Sequence, residues 1–363
     1  LNDADAPADT KSSEWRTIMN GRIFWVIGLV LMVALLSVAC TGPAGEPGPA
    51  GPQGQAGEKG DVGPAGPAGI VEAKITNADD ALGHMVTGTY VANAGEIAGK
   101  SAADWSNSET IRVELDEFSF KPDNLILEAG LPYKIELVNT GAVKHEFTAG
   151  DFFKSVAWRK AQSPESEVKA VYFTEIEVFA GKQVDLYFVP VAPGTYDLLC
   201  ELEGHLEAGM RGTITVTGVA PTTPVTVLTN IADGPWLLDS EARVANADWD
   251  TMETVHVELG EFFFKPENIE LRTGVPYKLV FDNPGAVKHE ATAGDFFRTA
   301  AFRKVEDASG EFKTPLLLEV EVFADKETEL FLIPTKAGKY EIVCEIEGHF
   351  EAGMHGHIIV TDG

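Results

Sequence analysis

One pattern of four residues occurs twice in this chain of 363 residues, at an offset of 144. Cys200-Glu-Leu-Glu-Gly-His205-Leu-Glu-Ala-Gly-Met210 returns as Cys344-Glu-Ile-Glu-Gly-His349-Phe-Glu-Ala-Gly-Met354. The hexapeptide Gly-Ala-Val-Lys-His-Glu precedes each run and places His145 and His289, each 55 residues before its Cys. One thiolate, two imidazoles and one thioether make a soft-to-intermediate ligand set, which suits copper cycling between Cu(I) and Cu(II). Zinc more often recruits a second Cys, a third His or a carboxylate. The pattern therefore implies two copper sites per chain: His145, Cys200, His205 and Met210 in one, His289, Cys344, His349 and Met354 in the other. A Cys200–Cys344 disulfide is the competing use of the thiols, but it explains neither the histidines nor the methionines.

Local patterns place these ligands. The segments before each Cys, from Gly194 and from Gly338, alternate loosely and read as strands, as do those after each Met, ending at Thr217 and Thr361. Cys, His and Met then share one tight inter-strand loop. The first His follows a different strand, Ile135–Asn139 or Leu279–Asn283.

Both repeats resemble cupredoxins, the plastocyanin and azurin family. The resemblance covers residues 110–218 and 254–363. It includes the opening strands Glu117-Phe-Ser-Phe-Lys-Pro122 and Glu261-Phe-Phe-Phe-Lys-Pro266, the His-bearing turn and the ligand loop. It implies an all-β chain: two tandem Greek-key β-sandwich domains, each with a type 1 (blue) copper centre, working in outer-sphere one-electron transfer. The Cys-x4-His-x4-Met spacing is closer to the rusticyanin type than to plastocyanin. The family commonly has Asn after the first His, where it ties the two ligand loops; here Glu146 and Glu290 stand instead. The ligand-loop His reaches the surface in the family, which makes His205 and His349 the expected points of electron exchange.

Two-domain cupredoxins in trimers include copper nitrite reductase and small multicopper oxidases, so a catalytic reading has to be weighed. Those enzymes place a His directly after the Cys, where this chain has Glu201 and Glu345. The remaining histidines are His84, His256, His355 and His357. The last two would share one face of a strand, either as an extra copper site or as exposed residues. The reading is an electron carrier and not an enzyme, with copper capture or delivery as the alternative.

The N-terminal part implies location. Met19-Asn-Gly-Arg22 precedes an apolar run from Ile23 to Ala39 that ends at Cys40. A short basic start, an apolar core and small residues before a cut make a signal peptide, and Met19 reads as its start. Ending on Ala-Cys, it resembles a bacterial lipoprotein signal with Cys40 lipidated; an uncleaved anchor is the alternative. Both put the repeats outside the cytoplasm, on the outer face of the bacterial cytoplasmic membrane or at the cell surface.

From Gly42 to Gly69 glycine stands at every third position, the period of a collagen triple helix. Residues 41–70 thus form a stalk of roughly 90 Å at ~3.1 Å per residue. Either the chain is a homotrimer through residues 42–71, or the tract is a single-chain semi-rigid spacer. The resulting organisation is 1–40 extension and signal, 41–70 stalk, 71–109 arm, 110–218 first domain, 219–253 arm and 254–363 second domain. Each arm ends in Ala-Asp-Trp, at Trp105 and Trp249, and is expected to pack on its own domain. After each His strand, Asp151–Arg159 and Asp295–Arg303 read as a core-packing helix, with Phe152, Val156 and Arg159 at helical spacing.

The net charge of −28 disfavours nucleic acid and would steer in a basic redox partner such as a cytochrome, an oxidase or a reductase. Glu201, Glu203 and Glu207, with Glu345, Glu347 and Glu351, concentrate that charge in the ligand loops.

Overall fold

The computed structural model describes residues 87–100, 102–219 and 239–363, with the short segments 71–72, 226–230 and 237. The signal, Cys40, the collagen-like tract and His84 lie outside the described residues. Among the described residues no helix is long and apolar enough to cross a membrane.

Two arm strands come first, β1 (Val71–Glu72) and β2 (Thr87–Val91). The first repeat then runs β3 (Glu109–Asp116), β4 (Ser119–Lys121), β5 (Asn124–Glu128), β6 (Tyr133–Asn139), β7 (His145–Phe147), β8 (Val156–Gln162), β9 (Ser166–Ala170), β10 (Glu175–Val178), β11 (Gln183–Pro190), β12 (Gly194–Leu199) and β13 (Arg211–Thr217). After the arm strand β14 (Thr226–Asn230), the second repeat mirrors it. Its strands are β15 (Glu253–Gly260), β16 (Phe263–Lys265), β17 (Asn268–Arg272), β18 (Tyr277–Asn283), β19 (His289–Ala291), β20 (Ala300–Glu306), β21 (Gly310–Lys313), β22 (Leu317–Val322), β23 (Lys326–Pro334), β24 (Gly338–Val343) and β25 (His355–Thr361). Strands such as β6, Tyr-Lys-Ile-Glu-Leu-Val-Asn, alternate buried and half-buried residues along their length, which is why alternation revealed them.

Each repeat has a large sheet and a three-stranded one, β12-β13-β5 or β17-β25-β24, as expected of tandem sandwiches, and the large sheets do not end at the repeat boundary. The sheet β4-β3-β6-β11-β8-β9 of the first repeat continues into β22 and β19 of the second. Reciprocally, β16-β15-β18-β23-β20-β21 continues into β10 and β7 of the first. The registers show the symmetry. Lys169 of β9 faces Glu319 of β22, and Lys313 of β21 faces Glu175 of β10. These are the same two positions with the repeats exchanged, so a pseudo-two-fold axis relates the repeats, as in an isologous dimer. Joining edges in this way removes unpaired strand edges. Val168, Ile176, Phe312 and Val320 are fully buried across the junction, and one hydrophobic core runs through both repeats.

At the axis, equivalent positions meet and have diverged into donor and acceptor. Ser163 donates its hydroxyl to Asp307, its own counterpart 144 residues on, at 2.6 Å. Ser309 donates to Glu165 in the same way, at 2.5 Å. Two identical carboxylates there would repel.

One expected element differs. The helix after the His strand is a single turn, α2 (Gly150–Lys154), following the arm helix α1 (Ala94–Ala98). Val156 and Arg159 belong to β8 instead. Phe152 and Phe153 fill the core, but β8 pairs with β11, and the ladder of backbone bonds overrides a three-residue helical stripe. In the second repeat α4 (Gly294–Phe297) repeats this, after the arm helix α3 (Ser240–Asn246). The first arm does pack on its own domain: Val91, Ile97 and Ala98 cluster with Ala157, Val189 and Val191. Its Trp105 lies 4.7 Å from the Arg159 guanidinium, and Trp249 lies 4.9 Å from that of Arg303. The arms also pair with each other, through β14 and β2.

Candidate metal centres

The ligand loop Cys200–Met210 joins β12 to β13 and is closed by its own backbone. Cys200 N–H donates to Met210 C=O at 3.2 Å, and Met210 N–H donates to His205 C=O at 2.9 Å. Gly204 and Gly209 stand at φ +83° and +103°, a backbone that glycine adopts without a Cβ clash. Cys344–Met354 repeats both bonds, at 3.1 and 3.0 Å.

His145 opens β7 after a turn built by the buried side chain of Asn139. Its amide donates to Val143 C=O and Val178 C=O, each at 2.8 Å, and its oxygen accepts from Gly141 N–H at 2.9 Å. Asn283 does the same in the second repeat. Neither residue stood out in the sequence, although the pair recurs at the repeat offset and ends the strand before each His.

The fold brings the expected ligands together. One donor atom each from His145, Cys200 and His205 lies within 4.8 Å of the others, and so it is for His289, Cys344 and His349. The Cys200 Sγ to His205 Nδ1 distance is 3.4 Å, as is that from Cys344 Sγ to His349 Nδ1. Met210 and Met354 are fully buried at the closing end of each loop. Both cysteines are free, so the disulfide reading falls. Among the described residues, His256, His355 and His357 join no such grouping.

Donor chemistry fits a soft metal. His145 and His289 are completely buried, yet neither ring nitrogen of either has a hydrogen-bond partner. An unpartnered buried polar atom costs about 1–3 kcal/mol, and one ring nitrogen of each faces a thiol-bearing cluster. Burial, then the neighbouring ligand His, lowers the pKa of both, which favours the neutral imidazole that binds metal. Burial raises both thiol pKa values, opposed by the N–H groups of Glu146 and Glu290. Those N–H groups reach the sulfurs at 3.4 and 3.3 Å. Metal binding would displace the thiol proton.

Glu146 takes over the tie that the family assigns to Asn: its carboxylate accepts Glu201 N–H at 3.0 Å. Burial, then the charge of Glu175, pushes Glu146 up to about 7; burial, then Glu319, pushes Glu290 up to about 8.

The outer end of each site is apolar. Phe118 and Phe262 stand edge-on to His205 and His349 at 5.3 and 5.2 Å. Both hold left-handed backbone, φ +65° and +69°, an arrangement costly for a bulky residue. They are 46 % and 43 % exposed, and His205 and His349 are half-buried beside them.

The model of the cupredoxin-like domain matches residues 91–216 and again 236–360. The copper-resistant cuproprotein CopI of Rubrivivax gelatinosus is 33 % identical over 130 residues, 36 % of this chain and 75 % of that protein. Auracyanin-B of Chloroflexus aurantiacus is 29 % identical over 144 residues, 36 % of this chain and 60 % of that one. Among solved structures, auracyanin B is 18 % identical over 32 % of this chain and 93 % of its own, with a TM-score of 0.24. A copper-containing nitrite reductase from Thermus scotoductus is 15 % identical over 70 % and 62 %, with a TM-score of 0.26. These two structural likenesses carry no functional argument.

Proposed function

Because the chain belongs to the cupredoxin-like domain family, we propose that it is an electron-transfer protein with one type 1 copper centre in each repeat, tethered outside the cytoplasm by its N-terminal segment. The observation that carries this reading is the His-Cys-His grouping, present twice with the buried imidazole nitrogens of His145 and His289 unpartnered. Copper held there supplies a Cu(I)/Cu(II) couple that passes one electron at a time. His145, Cys200 and His205, with Met210 as a weak fourth ligand, would hold the first ion; His289, Cys344, His349 and Met354 would hold the second.

The chain's own residues serve transfer by staying still. The Asn139 turn, the backbone-closed loop and the Glu146 tie hold the donors from three strands, which limits rearrangement between oxidation states. Phe118 and Phe262 shield the ligand-loop histidines from water while leaving them near the surface. The glutamates around each loop attract a basic partner. Glu201 and Glu345, which stand where the oxidases and reductases have His, favour a carrier over an enzyme.

A visible spectrum with copper quantitation tests this. Two coppers per chain and an intense thiolate-to-Cu(II) band are expected; a colourless, zinc-filled protein refutes it. The name of the CopI relative, a copper-resistant cuproprotein, favours one second reading, copper capture at the cell surface. A carrier of that kind gives up copper to a modest chelator, whereas an electron-transfer site keeps it through redox cycles.

A further inference from the structure

Each candidate copper site is surrounded by charge that its own repeat supplies only in part. Around the first site lie four carboxylates: Glu146, Glu175 and Glu177 from the first repeat, and Glu311 of the second, which faces Glu177 across the β10–β21 ladder. Three lysines answer them. Lys144, from the same repeat, pairs with Glu177 at 2.9 Å. Lys304 and Lys313 come from the other repeat and pair with Glu311, at 2.8 Å, and Glu175. The second site has the same arrangement with the repeats exchanged. Lys288 pairs with Glu321 at 2.8 Å, while Lys160 and Lys169 of the first repeat pair with Glu167, at 2.6 Å, and Glu319.

Lys169 also reaches the ligand-adjacent Glu290, at 3.9 Å. Glu290 in turn donates its backbone N–H to Cys344 Sγ. The sheet order explains this reach. The strand of His289 pairs with β22, and β22 pairs with β9, so a strand of the first repeat lies two ladders from a metal ligand of the second. The first site stands in the same relation to β21 through β10. Glu146-Glu175-Glu177 and Glu167-Glu319-Glu321 bring their oxygens within 4.8 Å, a spacing that admits a cation. Here the lysine ammonium groups already provide positive charge.

We propose that Lys169 and Lys313 act in trans as positioning residues: each sets the electrostatic environment of the copper centre in the repeat to which it does not belong. Each centre takes its ligands from one repeat and part of its surrounding charge from the other. This rests on the copper reading above. The internal duplication supports it, because donor and acceptor recur at both sites with the repeats exchanged, as the pseudo-two-fold requires.

Single-centre chains separate the effects. In full-length protein, Cys200→Ser leaves only the second centre and Cys344→Ser only the first. Lys169→Met is expected to lower the reduction potential of the second centre and leave the first unchanged; Lys313→Met does the reverse. For a unit charge taken at about 10 Å and an effective dielectric of ~20, its loss changes the reduced-to-oxidised ratio at fixed potential on the order of tenfold. Lys169→Arg keeps the charge and is expected to restore the potential. A lysine with only a structural role would change stability and leave the site-selective pattern absent. Equal shifts at both centres, or none at either, overturn the proposal. No thiolate-to-Cu(II) band in the two parent chains overturns the copper reading itself, and the proposal with it.

Discussion

Gly141→Ala tests how tightly the first centre is built. A Cβ at 141 would lie 2.8 Å from His145 Nε2 and 2.8 Å from Glu117 Oε1, closer than real Cβ atoms come. The two neighbours respond differently. Glu117 is exposed and its carboxylate can swing into water. His145 is completely buried, and its ring can move only by shifting the donor that faces Cys200 and His205. Overpacking a buried site costs about 1–3 kcal/mol. If that cost falls on the bound geometry, copper affinity drops by roughly 5- to 150-fold, at about 1.4 kcal/mol per tenfold. The assay is competition with a chelator of known affinity in the Cys344→Ser chain, alongside thermal unfolding of the metal-free protein. Gly150→Ala is the control, since no atom lies within 4 Å of a Cβ there. Weaker copper binding in Gly141→Ala alone is expected. Unchanged affinity, or the same loss in both variants, refutes the reasoning that His145 is held without slack.

Four other expectations concern the axis and the candidate ligand shell. Asp307 accepts from Ser163 and Ser166 hydroxyls and from the N–H groups of Ser309 and Gly310. Asp307→Ala should therefore cost about 2–4 kcal/mol in denaturant unfolding with the copper spectrum retained; a neutral result removes the axis network from the stability of the pair. Burial outweighs those bonds and raises the Asp307 pKa, so the folded state favours the protonated form. The stability tied to it is full below the ordinary aspartate value of ~3.9 and is lost as pH rises through the raised one. Asp307→Asn should flatten that slope, and identical pH profiles of the unfolding midpoint would contradict the sign. Phe118→Ala forfeits about 0.5–1.5 kcal/mol of ring contact at His205, and faster loss of copper to a chelator from the first centre only is the expected readout. Met354→Leu conserves volume, at less than about 1.5 kcal/mol; a raised potential with the blue band kept is expected, and an unmoved potential eliminates Met354 as a ligand.

The candidate ligands were legible because their chemistry resides in single residues and their spacing is local. Cys200, His205 and Met210 share one loop, and the strands flanking it alternate in the period that a half-buried sheet imposes. The repeat offset carried the same reading to the second centre. The stripe Phe152, Val156 and Arg159 misled, since a helical spacing of three residues does not weigh against a full ladder with β11. Phe118 and Phe262 read in the sequence only as parts of a strand, because nothing in a Phe announces a left-handed φ that turns it toward a histidine.

What the chain determines by itself is therefore which donor side chains recur together, how many times, and in which kind of sheet. Tertiary structure alone decided which edges join. A strand's own pattern specifies the face it buries and is silent about its neighbour. In the folded chain β9 pairs with β22 and β10 with β21, in a register that places Lys169 and Lys313 beside the other repeat's glutamates.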